Sequence, residues 1–174
     1  MGPGGGLIFH KAPRGFIMTD TSEICFYLEA AMNDIKADPD DLSGLSDEDR
    51  LRLLTDQVTL YGAQETRIGS GRLNTDSLHA SSGKSSAANA CHYYNNNSNG
   101  KDDWFIPSRD ELQKLYDNRD LFGSGNFVSD GYYWSSTLDS SNLREKAYYH
   151  DFSTGVPGST HNTTEMYVRV IRAF

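Results

Sequence analysis

The chain has 174 residues, 16 Lys+Arg against 24 Asp+Glu and a formal net charge of −8. Such an acidic balance excludes phosphate-backbone contact as a general mode, so no nucleic-acid partner is expected. It also disfavours an anionic membrane surface, and no apolar run is long enough to span a bilayer, so no membrane insertion is expected. The length suits one domain with a single core, and we read residues 1–174 in that way. Abundant Gly, Ser, Asn, Asp and Tyr predict that much of it is loop.

In chain order, Gly2-Pro3-Gly4-Gly5-Gly6 reads as a tight turn feeding a first strand at Leu7-Ile8-Phe9. No Lys-Ser/Thr follows the glycines, so they do not form a phosphate loop. The opening MGPGGGLIF has neither a basic n-region nor a long apolar h-region, and no secretory leader is read there. Phe26 to Ala31 is read as a second strand. Residues 33–57 are read as an acidic, solvated insertion, with Ser46 capping a short helix through Asp49 and carrying Leu51, Leu53 and Leu54. Asp38, Asp40 and Asp41 lack the spacing and central glycine of a calcium loop. The five His are scattered, so no metal and no other cofactor is expected.

Thr66 to Thr75 reads as a glycine turn into a helix, with Asp76-Ser77-Leu78 helical. A helix is predicted over residues 85–94, because Ala87, Ala88, Ala90, Cys91 and Tyr94 fall on one side. The Asn-rich run to Gly100 ends it. Pro107 pushes Ile106 out of the helical region. Ser108 and Glu111 then form a capping box for a helix buried through Leu112, Leu115 and Tyr116. Trp104 to Asn118 is therefore read as scaffold. Cys25 and Cys91 do not make a disulfide framework; a single bridge or two buried thiols would fit, the thiols being the favoured reading.

From Gly131 onward the chain reads as three strands, Tyr132–Thr137, Lys146–Phe152 and Tyr167–Arg172, joined by the polar connections 139–145 and 153–165. Phe152 is expected inside, which by alternation takes Tyr148 and His150 with it and leaves Tyr149 and Asp151 outside. Trp134 is expected inside with Tyr132 and Ser136. The Tyr, Ser, Thr, Asn, His and Gly composition is that of binding loops.

YYWSST at 132–137, Ala147-Tyr148, Phe152, Gly155 and Tyr167-Val168-Arg169-Val170 with Arg172 resemble the C-terminal domain family of bacterial collagen-like adhesins. The opening GPGGGLIF, YLEAA at 27–31, the IGSGRLNT turn at 68–75 and Trp104-Phe105-Ile106-Pro107-Ser108 agree with that pattern. The resemblance implies an α+β, C-type-lectin-like fold: mixed and antiparallel strands, two helices, long loops, and N- and C-terminal strands paired. It also implies that the fold begins at the glycine turn. The framework is similar to that of variable proteins of diversity-generating retroelements, which implies a receptor-binding display protein on a virion or cell surface. Residues 131–174 would then be the variable segment.

Mutagenesis of adenines in AAC or AAT codons cannot yield Trp, Met, Lys, Gln or Glu. Under that resemblance Trp134, Glu145, Lys146, Glu165 and Met166 are fixed positions. The implied ligand contacts are Leu138, Asp139, Asn142, Arg144, Tyr149, Asp151, Val156, Ser159, His161, Asn162 and Thr164. The partner is then a protein or cell-surface ligand, with no oligomeric state assigned.

Three alternatives follow from the same residues. A fixed-specificity adhesin needs no diversification. Calcium-independent glycan binding would fit, since the calcium lectin triplets EPN, QPD and WND are absent, and Arg144, Lys146, Arg169 and Arg172 would form the basic cluster that a sulfated polysaccharide needs. A formylglycine-generating-enzyme-like catalyst shares a related fold, but its chemistry uses cysteines in the C-terminal half, and none follows Cys91. No serine hydrolase elbow is present either, so the chain is read as non-catalytic.

Overall fold

A computed structural model describes residues 1–37, 49–54, 60–81, 86–97 and 100–174. The elements run β1 (Leu7–Ile17), β2 (Ile24–Ala30), β3 (Leu51–Arg52), α1 (Gly71–His79), α2 (Ser86–Asn97) and α3 (Arg109–Asp117). They continue through a 3-10 turn at Arg119–Phe122 to β4 (Tyr132–Leu138), β5 (Lys146–Asp151), β6 (Pro157–His161), β7 (Glu165–Met166) and β8 (Ile171–Ala173). The class is mixed α+β, with three α-helices and antiparallel strand pairs among the described residues.

The opening glycines fold back on themselves, the Gly5 amide donating to the Gly2 carbonyl at 3.1 Å, and deliver the chain into β1. Their amides do hold an anion, and it belongs to the protein. Gly4 and Gly6 donate to the Glu29 carboxylate at 2.6–3.1 Å, and Arg172 Nη1 lies 3.3 Å from the same group. A Cβ on Gly6 would run into the Ala30 carbonyl, so glycine is required there by close approach.

The strands form three sheets of order β1-β2-β8, β3-β7 and β4-β5-β6. Both ends of the chain lie in the first sheet, but β2 stands between β1 and β8. The first two strands close a hairpin, and the last strand pairs with its second arm, Leu28 opposite Ala173 and Ala30 opposite Ile171.

Several sequence expectations change here. Leu51 is not helical: β3 pairs with β7, Leu51 opposite Met166, and Arg52 meets Glu165 at 2.8 Å. Ser46, Asp38, Asp40 and Asp41 lie outside the described residues. The described flanks of the acidic segment are not a solvated insertion. Ile35, Leu51, Leu53 and Leu54 are buried, and the Ile35 amide donates to the Val168 carbonyl. Helix α1 starts at Gly71, earlier than expected, because the turn is already complete at Ser70.

The C-terminal region holds two strands that hydrophobic pattern did not reveal. One is β6, Pro-Gly-Ser-Thr-His, which has no apolar alternation. The other is the two-residue β7. Conversely, Val168 to Val170 is not strand and Tyr167 makes only an isolated bridge to Tyr133: Val168 and Val170 enter the core while Arg169 turns to Asp34.

The α2 reading holds in its apolar face: Ala87, Ala88, Ala90 and Cys91 are buried, and Tyr94 meets Trp104 edge-on at 5.8 Å. Cys25 and Cys91 are both buried free thiols. The Ser108–Glu111 capping box is formed, and the Glu111 side chain also accepts from the Gly69 amide at 2.8 Å, tying the start of α3 to the turn before α1.

Burial pushes the Glu111 carboxyl up to about 7, against the pull of the amides of Ser108 and Gly69. A folded-state value above the unfolded one means that the native chain binds the extra proton. The contribution of this group is therefore fully present below about pH 4.5 and is lost as pH rises through about 7, to the extent of about 3 kcal/mol. Urea unfolding of the wild type and Glu111→Gln at pH 5 and pH 8 measures this: the wild type should lose stability relative to the variant on going to pH 8. Parallel profiles would contradict it.

Two apolar clusters flank the β4-β5-β6 sheet. Trp134, Leu138 and Ala147 enter the one that contains Leu51, Val168 and the alanines of α2. Tyr133 and Phe152 enter the other, with Leu112, Leu115 and Ile171. Because both faces of the sheet are covered over much of their area, neighbouring residues are buried on opposite sides, and one-sided alternation fails. Tyr132 is 46% exposed instead of inside, Ala147 is buried, and Tyr149 is half-buried against Trp134 instead of outside. His150 and Phe152 are buried as expected, while Tyr148 is only half-buried.

Candidate ligand-binding face

The three strands β4, β5 and β6 display the segment from Gly131 onward, and their register assigns its side chains to two faces. Tyr133 pairs with His150 and Trp134 with Tyr149. Tyr148 pairs with Ser159 and Lys146 with His161. Lys146, Tyr148, His150, Pro157, Ser159 and His161 share the α3 face. Tyr132, Trp134, Ala147, Tyr149, Gly158 and Thr160 share the other.

On the second face, aromatic rings step from core to solvent. Trp134 is fully buried, its indole Nε1 donating to the carbonyls of Leu51 (2.9 Å) and Thr164 (3.2 Å). Tyr149 meets Trp134 edge-on at 6.5 Å and Tyr132 at 5.5 Å. Gly158 lies under the Tyr149 ring, where an added Cβ would sit 2.6 Å from it. Tyr132 then borders a groove of about 200 Å³ that includes Asp130, Glu165 and Tyr167.

On the α3 face, Arg109 lies over the Tyr148 ring at 5.3 Å, and with Gln113, Pro157 and Ser159 these residues line a cleft of about 380 Å³. Further along, His150 is wedged between Tyr116 (4.5 Å) and Phe152 (5.7 Å). Burial lowers its pKa, outweighing the pull of Asp117 and Asp151, so it is a neutral packed imidazole.

The sequence-derived contact set separates by burial. Arg144, Val156, His161 and Thr164 are exposed, Val156 at 61%; Asn142, Tyr149, Asp151 and Ser159 are half-buried. Leu138, Asp139 and Asn162 are buried. Leu138 is core because its side chain points with Ala147 into the first cluster. Asn162 holds three segments together: its amide donates to the Glu145 carbonyl, its Nδ2 to the Arg144 carbonyl, and its carbonyl accepts from Leu54.

Asp139 organises the loop after β4. Its carboxylate accepts from the Ser141 amide (2.9 Å) and hydroxyl (2.7 Å). Burial alone would raise this carboxyl, but the Ser141 and Ser159 hydrogen bonds and Lys146 outweigh it and hold it below the usual range. Asp151 does the same for the β5–β6 turn. The hydroxyls of Ser153 and Thr154 lead the hydrogen bonds that hold its carboxyl down at about 2. It is therefore a turn-former as well as a surface group.

The basic cluster expected from Arg144, Lys146, Arg169 and Arg172 does not form. Arg169 is buried beside Asp34 at 2.6 Å and stacks over Phe127 at 4.2 Å. Arg172 grips Asp103 at 2.6–2.8 Å as well as Glu29. Tyr132, Tyr148 and Arg109 were missed as surface groups. The adjacent Tyr132-Tyr133-Trp134 triplet was the one available signal, since three aromatics in a row must divide between two faces.

Among the described residues no group of three or more His, Cys, Asp or Glu is placed to hold a metal ion, and no helix is long and apolar enough to cross a membrane. The Cys91 thiol donates to the Trp104 carbonyl at 3.4 Å and burial pushes its pKa up to about 12, so it is not a nucleophile.

The profile of the Lcl C-terminal domain matches residues 55–172, and the chain belongs to that family. Among solved structures, a fimbrial protein from Bacteroides ovatus superposes with a TM-score of 0.52 at 12% identity. The alignment covers 87% of this chain and 36% of that one, so the chain spans about a third of that protein's length. No curated protein matches.

Proposed function

We propose that residues 1–174 form one non-catalytic, C-type-lectin-like display domain, whose segment 131–174 carries a hypervariable surface of the kind that diversity-generating retroelements produce. The observation that carries this reading is a division of labour within the segment. Trp134 and Met166, types that adenine-directed mutagenesis cannot create, are buried, and Glu165 is held by Arg52. Arg144, Val156, His161 and Thr164, all types it can create, are exposed on the sheet and its loops.

The contact surface is then Asn142, Arg144, Tyr149, Val156, Ser159, His161 and Thr164, with Asp151 setting the turn beneath Val156. Membership of the Lcl C-terminal domain family supports an adhesin-type role, and the likeness to a fimbrial protein is in keeping with work at a surface. The partner is a protein or another cell-surface ligand. The protonated Cys91 and the packed His150 argue against chemistry of the formylglycine-generating type.

A second reading has its own observation. Exposed Tyr132 beside Asp130 and Glu165 offers a ring for stacking with hydrogen-bonding groups at its rim, which suits calcium-independent binding of a neutral glycan. Flanking DNA separates diversified from fixed specificity. The first reading expects a non-coding near-copy of the 3′ end, differing mainly at adenines, together with a reverse transcriptase gene. Their absence leaves a fixed-specificity adhesin.

A further inference from the structure

Strand β6 is the outer strand of its sheet, and its hydrogen-bonding pattern fixes what its free side can accept. The Asn162 amide donates to the Glu145 carbonyl and the Asp151 amide to the Val156 carbonyl. On β5, the Asp139 amide donates to the Lys146 carbonyl and the Phe152 amide to the Gly131 carbonyl, so the main chains of Lys146 and Phe152 face β4. Antiparallel alternation therefore turns Gly158 and Thr160 toward β5 and turns Pro157, Ser159 and His161 outward. Pro157 has no N–H, and the His161 carbonyl is already taken by the Thr164 amide at 3.0 Å. The outward groups that remain are the Pro157 carbonyl, the Ser159 N–H and carbonyl, and the His161 N–H.

This edge is blunted by Pro157 at its start but carries no charged guard. Its side chains are Pro, Gly, Ser, Thr and His, with no Lys, Arg, Asp or Glu, and it has no strand beyond it among the described residues. A foreign strand laid here would leave one of its carbonyls facing Pro157 without a donor, and one of its amides facing an occupied His161 carbonyl.

We infer that the edge is built to pair with itself, β6 against β6 of a second copy, antiparallel about a two-fold axis at Ser159. In that register Pro157 lies opposite the second copy's His161, so the missing donor faces the occupied acceptor and neither is wanted. Each Ser159 N–H meets the other Ser159 carbonyl, and each His161 N–H meets the other Pro157 carbonyl. Every remaining outward group is then paired. Moving the axis to Gly158 leaves a Ser159 carbonyl facing Pro157, and moving it to Thr160 directs the Ser159 N–H at the occupied His161 carbonyl. The edge thus selects one register as well as one partner. The axis stands perpendicular to the sheet, so both copies present the Tyr132–Tyr149 face to the same side. On the display reading above, which this consequence alone rests on, the pair binds a multivalent surface with two sites at once.

Sedimentation equilibrium of the full chain from roughly 10 to 300 μM tests the pairing, a range suited to an interface smaller than the standard size. The expected result is a concentration-dependent monomer–dimer equilibrium. Ser159→Pro removes an outward N–H without touching the bonds to β5, and should weaken dimerisation at least tenfold; Ser159→Ala, which likewise loses the hydroxyl bond to Asp139 but keeps the N–H, should dimerise like the wild type. His161→Pro serves the same purpose should the first variant fail to fold. Ser159→Cys should give a covalent dimer on mild oxidation, since Cys25 and Cys91 are buried. A monomer across the range, association into trimers, or a folded proline variant that dimerises like the wild type would overturn the proposal. None of these readouts depends on any ligand.

Discussion

Deleting the last eight residues, Tyr167 to Phe174, should abolish cooperative unfolding altogether. Val168, Val170 and Ile171 are fully buried, and at about 1.5–3 kcal/mol each their loss alone rivals the 5–15 kcal/mol by which a domain is stable. Glu29, fully buried, loses its ion pair with Arg172 and keeps only the amides of the glycine turn, while half-buried Asp34 loses Arg169 and keeps the Tyr133 hydroxyl. Removing one partner of a buried ion pair costs about 3–5 kcal/mol. The exchange of hydrogen bonds between Phe105 and Ile171, at 2.8 and 2.9 Å, goes as well. Circular dichroism during a thermal scan checks this, and a sharp, native-like melt of the truncated chain would contradict the layout.

The second large effect is expected at Trp134. Replacing it with Ala should cost about 3–5 kcal/mol, because a fully buried indole leaves a cavity at the junction of β3, β4 and β7. The Leu51 and Thr164 carbonyls lose their donor in the same step. Trp134→Phe keeps part of the volume but not the N–H, and should fall between the two. Urea midpoints at constant slope give the comparison; a loss below about 1 kcal/mol for the Ala variant would show that the indole does not anchor this junction.

The parts of the molecule most legible in sequence were those fixed by local rules. The Pro107-Ser108 boundary, the capping box and the alanine face of α2 all rest on local rules that tertiary context did not override. Glycine chemistry at Gly2–Gly6 was legible as a turn, although the anion it holds, Glu29, became visible only when β2 was laid beside it. The β4 and β5 strands were legible from their aromatic and β-branched residues. Strand β6 was not, because an edge strand of Pro, Gly, Ser, Thr and His buries too little apolar surface to leave a periodic trace. Leu51 was misread for a related reason: leucines near an acidic cap fit a helix, and the pairing that holds β3 lies more than a hundred residues away at Glu165.

The candidate site was legible in composition but not in orientation. Which residue faces solvent depends on how many layers cover a sheet, and a single strand does not report that. Tyr149 illustrates the point. Its position opposite Gly158 and against Trp134 makes it a wall of the face, so its replacement should be felt by the scaffold more than that of Val156 or His161. Leu138, Asp139 and Asn162 show the opposite case, in which a polar or loop-end residue looks free in sequence while its main-chain and side-chain bonds hold neighbouring segments together.

The central claim is that scaffold and contact surface are separable within residues 131–174. The most direct measurement compares the folded fraction, read as protease resistance, of two libraries in the full chain. One is randomised at Arg144, Val156, His161 and Thr164, and the other at Leu138, Asp139 and Asn162. The account predicts that most members of the first library stay folded, each exposed substitution costing no more than about 0.5 kcal/mol, and that most of the second do not. Equal losses in the two libraries would contradict it.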